Sequence, residues 1–143
     1  MLIGLDPLLG PDLLYALRAM GHGDDIALVD ANFPAQSVAR RLIRADDCGL
    51  SRLLSAVLGV LPIDQTEPGP AVGMEVIGDP SRREPVHADI ARLLNEIGRP
   101  PTRLTLIERH AFYARARDAF AVVSSGERRF YGNVILRKGT ISP

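Results

Sequence analysis

Four consecutive apolar residues, Ile26-Ala27-Leu28-Val29, closed by Asp30, constrain this chain more than any other feature. The run is too short for a buried helix and lacks the alternation of a half-wetted strand. It reads as a strand covered on both faces, as in a largely parallel sheet. Helical stripes surround it. Over residues 11–20, Leu13, Leu14, Leu17 and Met20 recur at helical spacing, Pro11 suits the first helical position and Gly21 ends the run. Over residues 85–97, Val86, Ile90, Leu93, Leu94 and Ile97 share one face and Gly98 closes it. Two further helices are expected, over residues 51–58 with Ser51 as cap and over 111–118. Strands are expected over residues 41–45, 72–77, 104–107, 120–123 and 134–136. The turn signal Ser124-Ser125-Gly126-Glu127 makes the last two strands a hairpin. This alternation predicts an α/β, single-domain, three-layer fold with a mixed, mostly parallel sheet of about six strands.

With 143 residues, the chain suits one domain over residues 1–143. Its 17 Lys plus Arg balance 17 Asp plus Glu, which argues against nucleic acid and against a polybasic membrane surface. Hydrophobic residues at 46% exclude disorder. The single cysteine, Cys48, can form no intrachain disulfide and fits a reducing, cytoplasmic setting. The start, Met1-Leu2-Ile3-Gly4-Leu5-Asp6, lacks the basic stretch of a signal peptide. The apolar stretch Ala56-Val57-Leu58-Gly59-Val60-Leu61 is far below the roughly 18 residues of a spanning helix.

Ligands of open α/β sheets bind beyond the carboxyl ends of the strands. Asp30 follows the first buried strand, and Glu108, Arg109 and His110 follow the strand ending at Ile107. Tyr131, Gly132 and Asn133 precede the final strand at the same rim. Asp30, Arg109, Tyr131 and Asn133 thus converge by topology, offering a carboxylate, a guanidinium fork, a phenol and an amide. The set suits a small polyhydroxylated ligand, although loop ends are polar in any protein.

His22, between Gly21 and Gly23, is the candidate acid/base, since histidine titrates near neutrality. The plainer reading, a histidine meeting the negative end of a helix dipole, outweighs it on residue chemistry alone. His22 precedes the strand that Asp30 follows. Either its loop folds back, or it works with the rim of a neighbouring subunit. No dinucleotide or phosphate-loop fingerprint occurs, and His22, His87, His110 and Cys48 have no metal-ligand spacing. His87 and the pairs Arg82-Arg83 and Arg128-Arg129 read as solvated.

Met20-Gly21-His22-Gly23-Asp24 and Val29-Asp30-Ala31-Asn32-Phe33-Pro34 resemble the signature of the ribose pyranase/fucose mutarotase family. Arg44-Ala45-Asp46, Leu61-Pro62-Ile63-Asp64, Glu108-Arg109-His110-Ala111-Phe112-Tyr113 and Tyr131-Gly132-Asn133-Val134-Ile135-Leu136 continue the likeness in order, as do Leu5-Asp6-Pro7-Leu8-Leu9 and Gly139. The resemblance implies a monosaccharide mutarotase closest to the L-fucose branch, with His110 standing where that branch often carries an apolar aromatic. It implies a catalytic histidine at His22; ring opening needs a second proton carrier, and Tyr131 is the candidate, as donor or relay. It also implies sugar contacts from Asp30, Arg109, Tyr131, Gly132 and Asn133. No metal or organic cofactor is implied, and the assembly implied is a ring-shaped homo-oligomer, often a decamer, with sites near subunit contacts. The competing readings are a non-catalytic sugar-binding or transport-accessory protein and an oligomeric scaffold without a ligand.

Overall fold

The computed structural model describes residues 1–143. Its elements run α1 (Pro11–Ala19), β1 (Asp25–Val29), α2 (Ala35–Val38), β2 (Leu42–Ala45), α3 (Leu50–Leu58), β3 (Ala71–Met74), α4 (Pro85–Glu96), β4 (Thr105–Ile107), α5 (Arg109–Asp118), β5 (Ala121–Ser125) and β6 (Val134–Arg137). One six-stranded sheet has the order β2-β5-β1-β6-β3-β4. The pairs β2–β5, β5–β1 and β3–β4 are parallel, whereas β6 runs antiparallel to both its neighbours, β1 and β3. The expected α/β class, the six strands and the mixed, mostly parallel sheet are all present.

The apolar run in β1 serves two cores. Ile26 and Leu28 join the larger core with α1, α3 and α4, while Ala27 and Val29 join the smaller one with α2 and α5. Side chains alternate across a strand, so a strand between two helical layers must be apolar at every position. β5 and β6 follow the same rule, with Val122 and Ile135 on the α5 side and Ala121, Val123, Val134 and Leu136 on the other. At Gly73 in β3, a Cβ would lie 2.8 Å from a Leu106 methyl, so glycine lets β3 and β4 pack closely.

Several local expectations are corrected. β5 and β6 do not form a hairpin, because β1 lies between them. Their connection instead crosses the end of β1, where the Ala31 N–H donates to the Glu127 carbonyl at 2.8 Å. Ser51 does not cap α3, which starts at Leu50 after Gly49. The Glu127 carboxylate accepts the Leu50 N–H there at 3.3 Å, so a distant residue serves the helix end. α5 begins at Arg109 because the Glu108 side chain accepts the amides of His110 and Ala111. Arg109 and His110 therefore sit on a helix turn, not in a loop. The single turn α2, after Pro34, lies outside the expected elements, and β3 ends at Met74, short of Ile77. Arg129 is not simply solvated, since it bridges Glu127 and Asp89. No helix is long and apolar enough to cross a membrane.

Candidate active site

The carboxyl ends of β1, β3 and β4 and the start of β6 share one rim of the sheet. A cleft of about 170 Å³ opens there, with Asp30, Asn32, Arg109, Tyr131 and Asn133 as its polar lining. Phe33, Met74, Ile77, Tyr113 and Phe130 supply the apolar walls. The volume is below the roughly 300 Å³ at which drug-sized ligands begin, so the cleft suits one small molecule.

Asp30 and Asn133 form its centre. The Asp30 backbone N–H donates to Asn133 Oδ1 at 2.9 Å, and Asn133 Nδ2 donates to Asp30 Oδ2 at 3.0 Å. Both residues are buried, at 4% and 3% exposure. Burial pushes the Asp30 carboxyl above its ordinary value, although the Asn32 amide and the Asn133 side chain pull it back. A carboxylate offers about four acceptor sites, so these bonds leave Asp30 capacity for a ligand hydroxyl.

Tyr131 sits in the left-handed region at φ 64°, uncommon for a bulky residue. Its hydroxyl accepts the Ile77 N–H at 3.2 Å, which leaves the phenolic proton free to donate. Gly132 follows because nothing larger fits: a Cβ would stand 2.7 Å from Glu127 Cγ and 3.2 Å from the Arg129 carbonyl. Gly132 can offer a ligand only its backbone. Arg109 reaches the cleft from the first turn of α5, and its buried Nε has no partner within the chain. An orphaned donor on a guanidinium fork at a cleft wall is a place for a ligand oxygen. His110 is exposed and does not line the cleft, its Nε2 lying 3.5 Å from an Arg109 terminal nitrogen.

His22 is elsewhere. It precedes β1 at the opposite rim, where the Gly23 N–H donates to the Lys138 carbonyl beyond the end of β6. The five residues of β1 alone put about 17 Å between it and Asp30. Its loop does not fold back to the cleft. The imidazole is 47% exposed, and its Nε2 lies 3.1 Å from Oδ1 of Asp64, whose side chain is 3% exposed. Burial by itself would raise the Asp64 carboxyl, but hydrogen bonds from the Thr66 amide and hydroxyl and from His22 hold it well below the usual range. An ionised carboxylate only accepts, so Nε2 carries a proton and Nδ1 of the neutral ring is free to exchange one.

Asp64 escaped the residue-level reading: it lies 42 positions from His22, and only the tertiary pairing joins them. The cleft's apolar walls escaped too, because Met74 and Ile77 look like strand residues in sequence. His87, expected in solvent, is buried behind Tyr131. No cluster of three or more His, Cys, Asp or Glu residues is placed to hold a metal ion.

Known proteins resemble this chain over nearly its whole length. The human fucose mutarotase is 47% identical over 97% of this chain and 94% of its own. An L-fucose mutarotase of Actinobacillus pleuropneumoniae is 37% identical over 97% of this chain and 96% of its own. The crystal structure of the fucose mutarotase from Streptococcus pneumoniae in complex with L-fucose superposes with a TM-score of 0.90 at 34% identity, covering 99% of this chain and 100% of that one. Residues 3–141 match the profile of the RbsD / FucU transport protein family. The chain belongs to that family, as its ordered motifs had suggested.

Proposed function

We propose that the protein is a monosaccharide mutarotase, an isomerase that interconverts the anomers of L-fucose. The observation that carries this is the pairing of His22 with Asp64 in a chain whose cleft is built for hydroxyls. A sugar carrier needs the cleft and has no use for an oriented proton carrier. Relatives named fucose mutarotase support the same reaction. The apolar walls from Met74, Ile77 and Phe33 suit a sugar with a methyl group where most hexoses carry a hydroxymethyl.

Mutarotation opens a hemiacetal and closes it on the other face of the carbonyl. His22 Nδ1 takes the anomeric O–H proton, and the Tyr131 phenol donates one to the ring oxygen as the C–O bond breaks. The open aldehyde turns about the bond between its first two carbons. Both proton transfers then reverse as the ring closes. Asp64 stabilises the imidazolium formed meanwhile. Asp30, Asn133, Arg109 and the Gly132 backbone hold the hydroxyls, a positioning role.

One subunit keeps His22 and the cleft at opposite rims, so the complete site needs two chains. A ring-shaped homo-oligomer, as in a decamer, brings the His22–Asp64 pair of one subunit over the cleft of the next. The balanced charge and lone Cys48 fit a cytoplasmic enzyme acting on an uncharged sugar, with no nucleic acid or membrane involved.

Saturation-transfer NMR on L-fucose, D-ribose and D-galactose tests the reading. Catalytic amounts of protein should accelerate anomer exchange, fastest with L-fucose. Sugar binding without any acceleration would instead establish a non-catalytic binding protein.

A further inference from the structure

His87 has no part in the reaction just described, yet it is only 2% exposed and lies against the inner side of the cleft. Nδ1 accepts the Glu84 backbone N–H at 3.0 Å, and Nε2 stands 3.0 Å from the Met74 carbonyl oxygen. An amide N–H can only donate and a carbonyl only accept, so Nε2 holds the proton and one neutral tautomer fits. Burial pushes the imidazole below its ordinary value, in keeping with that tautomer.

The ring also backs Tyr131, with centroids 6.1 Å apart and planes inclined by 40°. Tyr131 in turn accepts the Ile77 N–H. Met74 and Ile77 both line the cleft, so residues 74–77 are fixed at one end by His87 and at the other by Tyr131. A tyrosine held in a left-handed conformation needs surroundings that over-determine it, and the His87 ring supplies one of them.

We propose that His87 is a positioning residue, clamping residues 74–77 and the Tyr131 ring so that the phenol is presented to the sugar. The proposal rests on the mutarotase reading above. A purely structural role, joining the first turn of α4 to Glu84, is the alternative that the test must exclude.

Two substitutions separate the roles. H87Q keeps an acceptor for Glu84 and a donor for Met74. H87F keeps the ring and loses both hydrogen bonds. Displacing a reacting group by about 1 Å can cost 100-fold, so H87F should lower kcat for L-fucose exchange by roughly 10- to 100-fold with a smaller change in KM. H87Q should recover most of that loss. In sugar-free protein, the Ile77 amide should lose protection from hydrogen–deuterium exchange in H87F and keep it in H87Q. If H87F does not fold, H87N, which retains an acceptor for Glu84 but is too short for Met74, must show the same two losses. Lower thermal stability with kcat and Ile77 protection unchanged would overturn the proposal, as would lost protection with full kcat. Wild-type protein that leaves anomer exchange at its uncatalysed rate would overturn the mutarotase reading itself. The Ile77 amide, read without sugar, judges the clamp independently of that result.

Discussion

The two rims of the sheet are built on different principles. At the carboxyl rim, polar groups are buried, reciprocally bonded and walled by aromatic and aliphatic side chains, as in the Asp30–Asn133 pair. At the amino rim, one half-exposed imidazole stands on a buried carboxylate, and none of the cleft residues is near it. The first region can bind but has no histidine lining it. The second can move a proton but lacks the cleft's walls. In the proposed two-chain site, their separation means that hydroxyl binding and the imidazole's proton transfer arise at different rims and meet only through assembly.

The hardest test of that division uses one substitution per rim. His22→Ala should abolish the acid/base contribution, typically 10²–10⁴-fold in exchange rate, while the cleft still binds L-fucose. Asp30→Asn should weaken binding with His22 intact. When the two variants are unfolded together and reassembled, and assayed at L-fucose too dilute to fill an Asp30→Asn cleft, about a quarter of the sites should combine one good His22 with one good cleft. Restored activity, measured by saturation transfer, confirms that two chains share a site. Mixtures as inactive as their components would break the comparison.

A smaller effect is expected from Asp64→Asn, which leaves the imidazole but removes the charge that orients it. The rate should fall roughly 10- to 100-fold, with L-fucose affinity unchanged in a titration. An equal loss of affinity would place Asp64 in the binding region and blur the two rims into one.

The least drastic test concerns the support beneath the cleft. The Arg129 side chain, with help from backbone amides, overcomes burial and holds the Glu127 carboxyl at about 2, against an ordinary 4.5. The folded value lies below the unfolded one, so the stabilisation is complete above about pH 4.5 and is lost as the pH falls toward 2. Thermal melts between pH 7 and pH 3 should show this loss in wild type and a flatter profile in Glu127→Gln. An identical slope in both would remove Glu127 from the acid response.

Much of the carboxyl rim is legible in the amino-acid sequence. The buried run 26–29 locates a central strand, and the rule for strand ends gathers Asp30, Arg109, Tyr131 and Asn133 from separate parts of the chain. The amino rim is legible only in part. The spacing from His22 to Asp30 allows the two to lie at opposite ends of β1 and leaves a folded-back loop open, and no local pattern marks Asp64, because its pairing depends on a contact 42 residues away. The expected hairpin fails for a related reason. A turn-rich link says that two strands reverse direction, and it is silent on whether a third strand slips between them. That insertion of β1 carries the 126–133 connection over Asp30 and so makes the Asn133 pairing possible.

β6 runs against all its neighbours and touches both rims. Tyr131 to Asn133 lead into it, and Lys138, just past its end, anchors the His22 loop through Gly23. In the assembly proposed above it acts as a gauge rod of fixed length between the cleft of one site and the His22 loop of another. In a closed ring every such rod is the same, so the fit at each junction depends on the strand's residue count. One residue added within 134–137 would reverse the pleat beyond the insertion and put every junction of the ring out of step together.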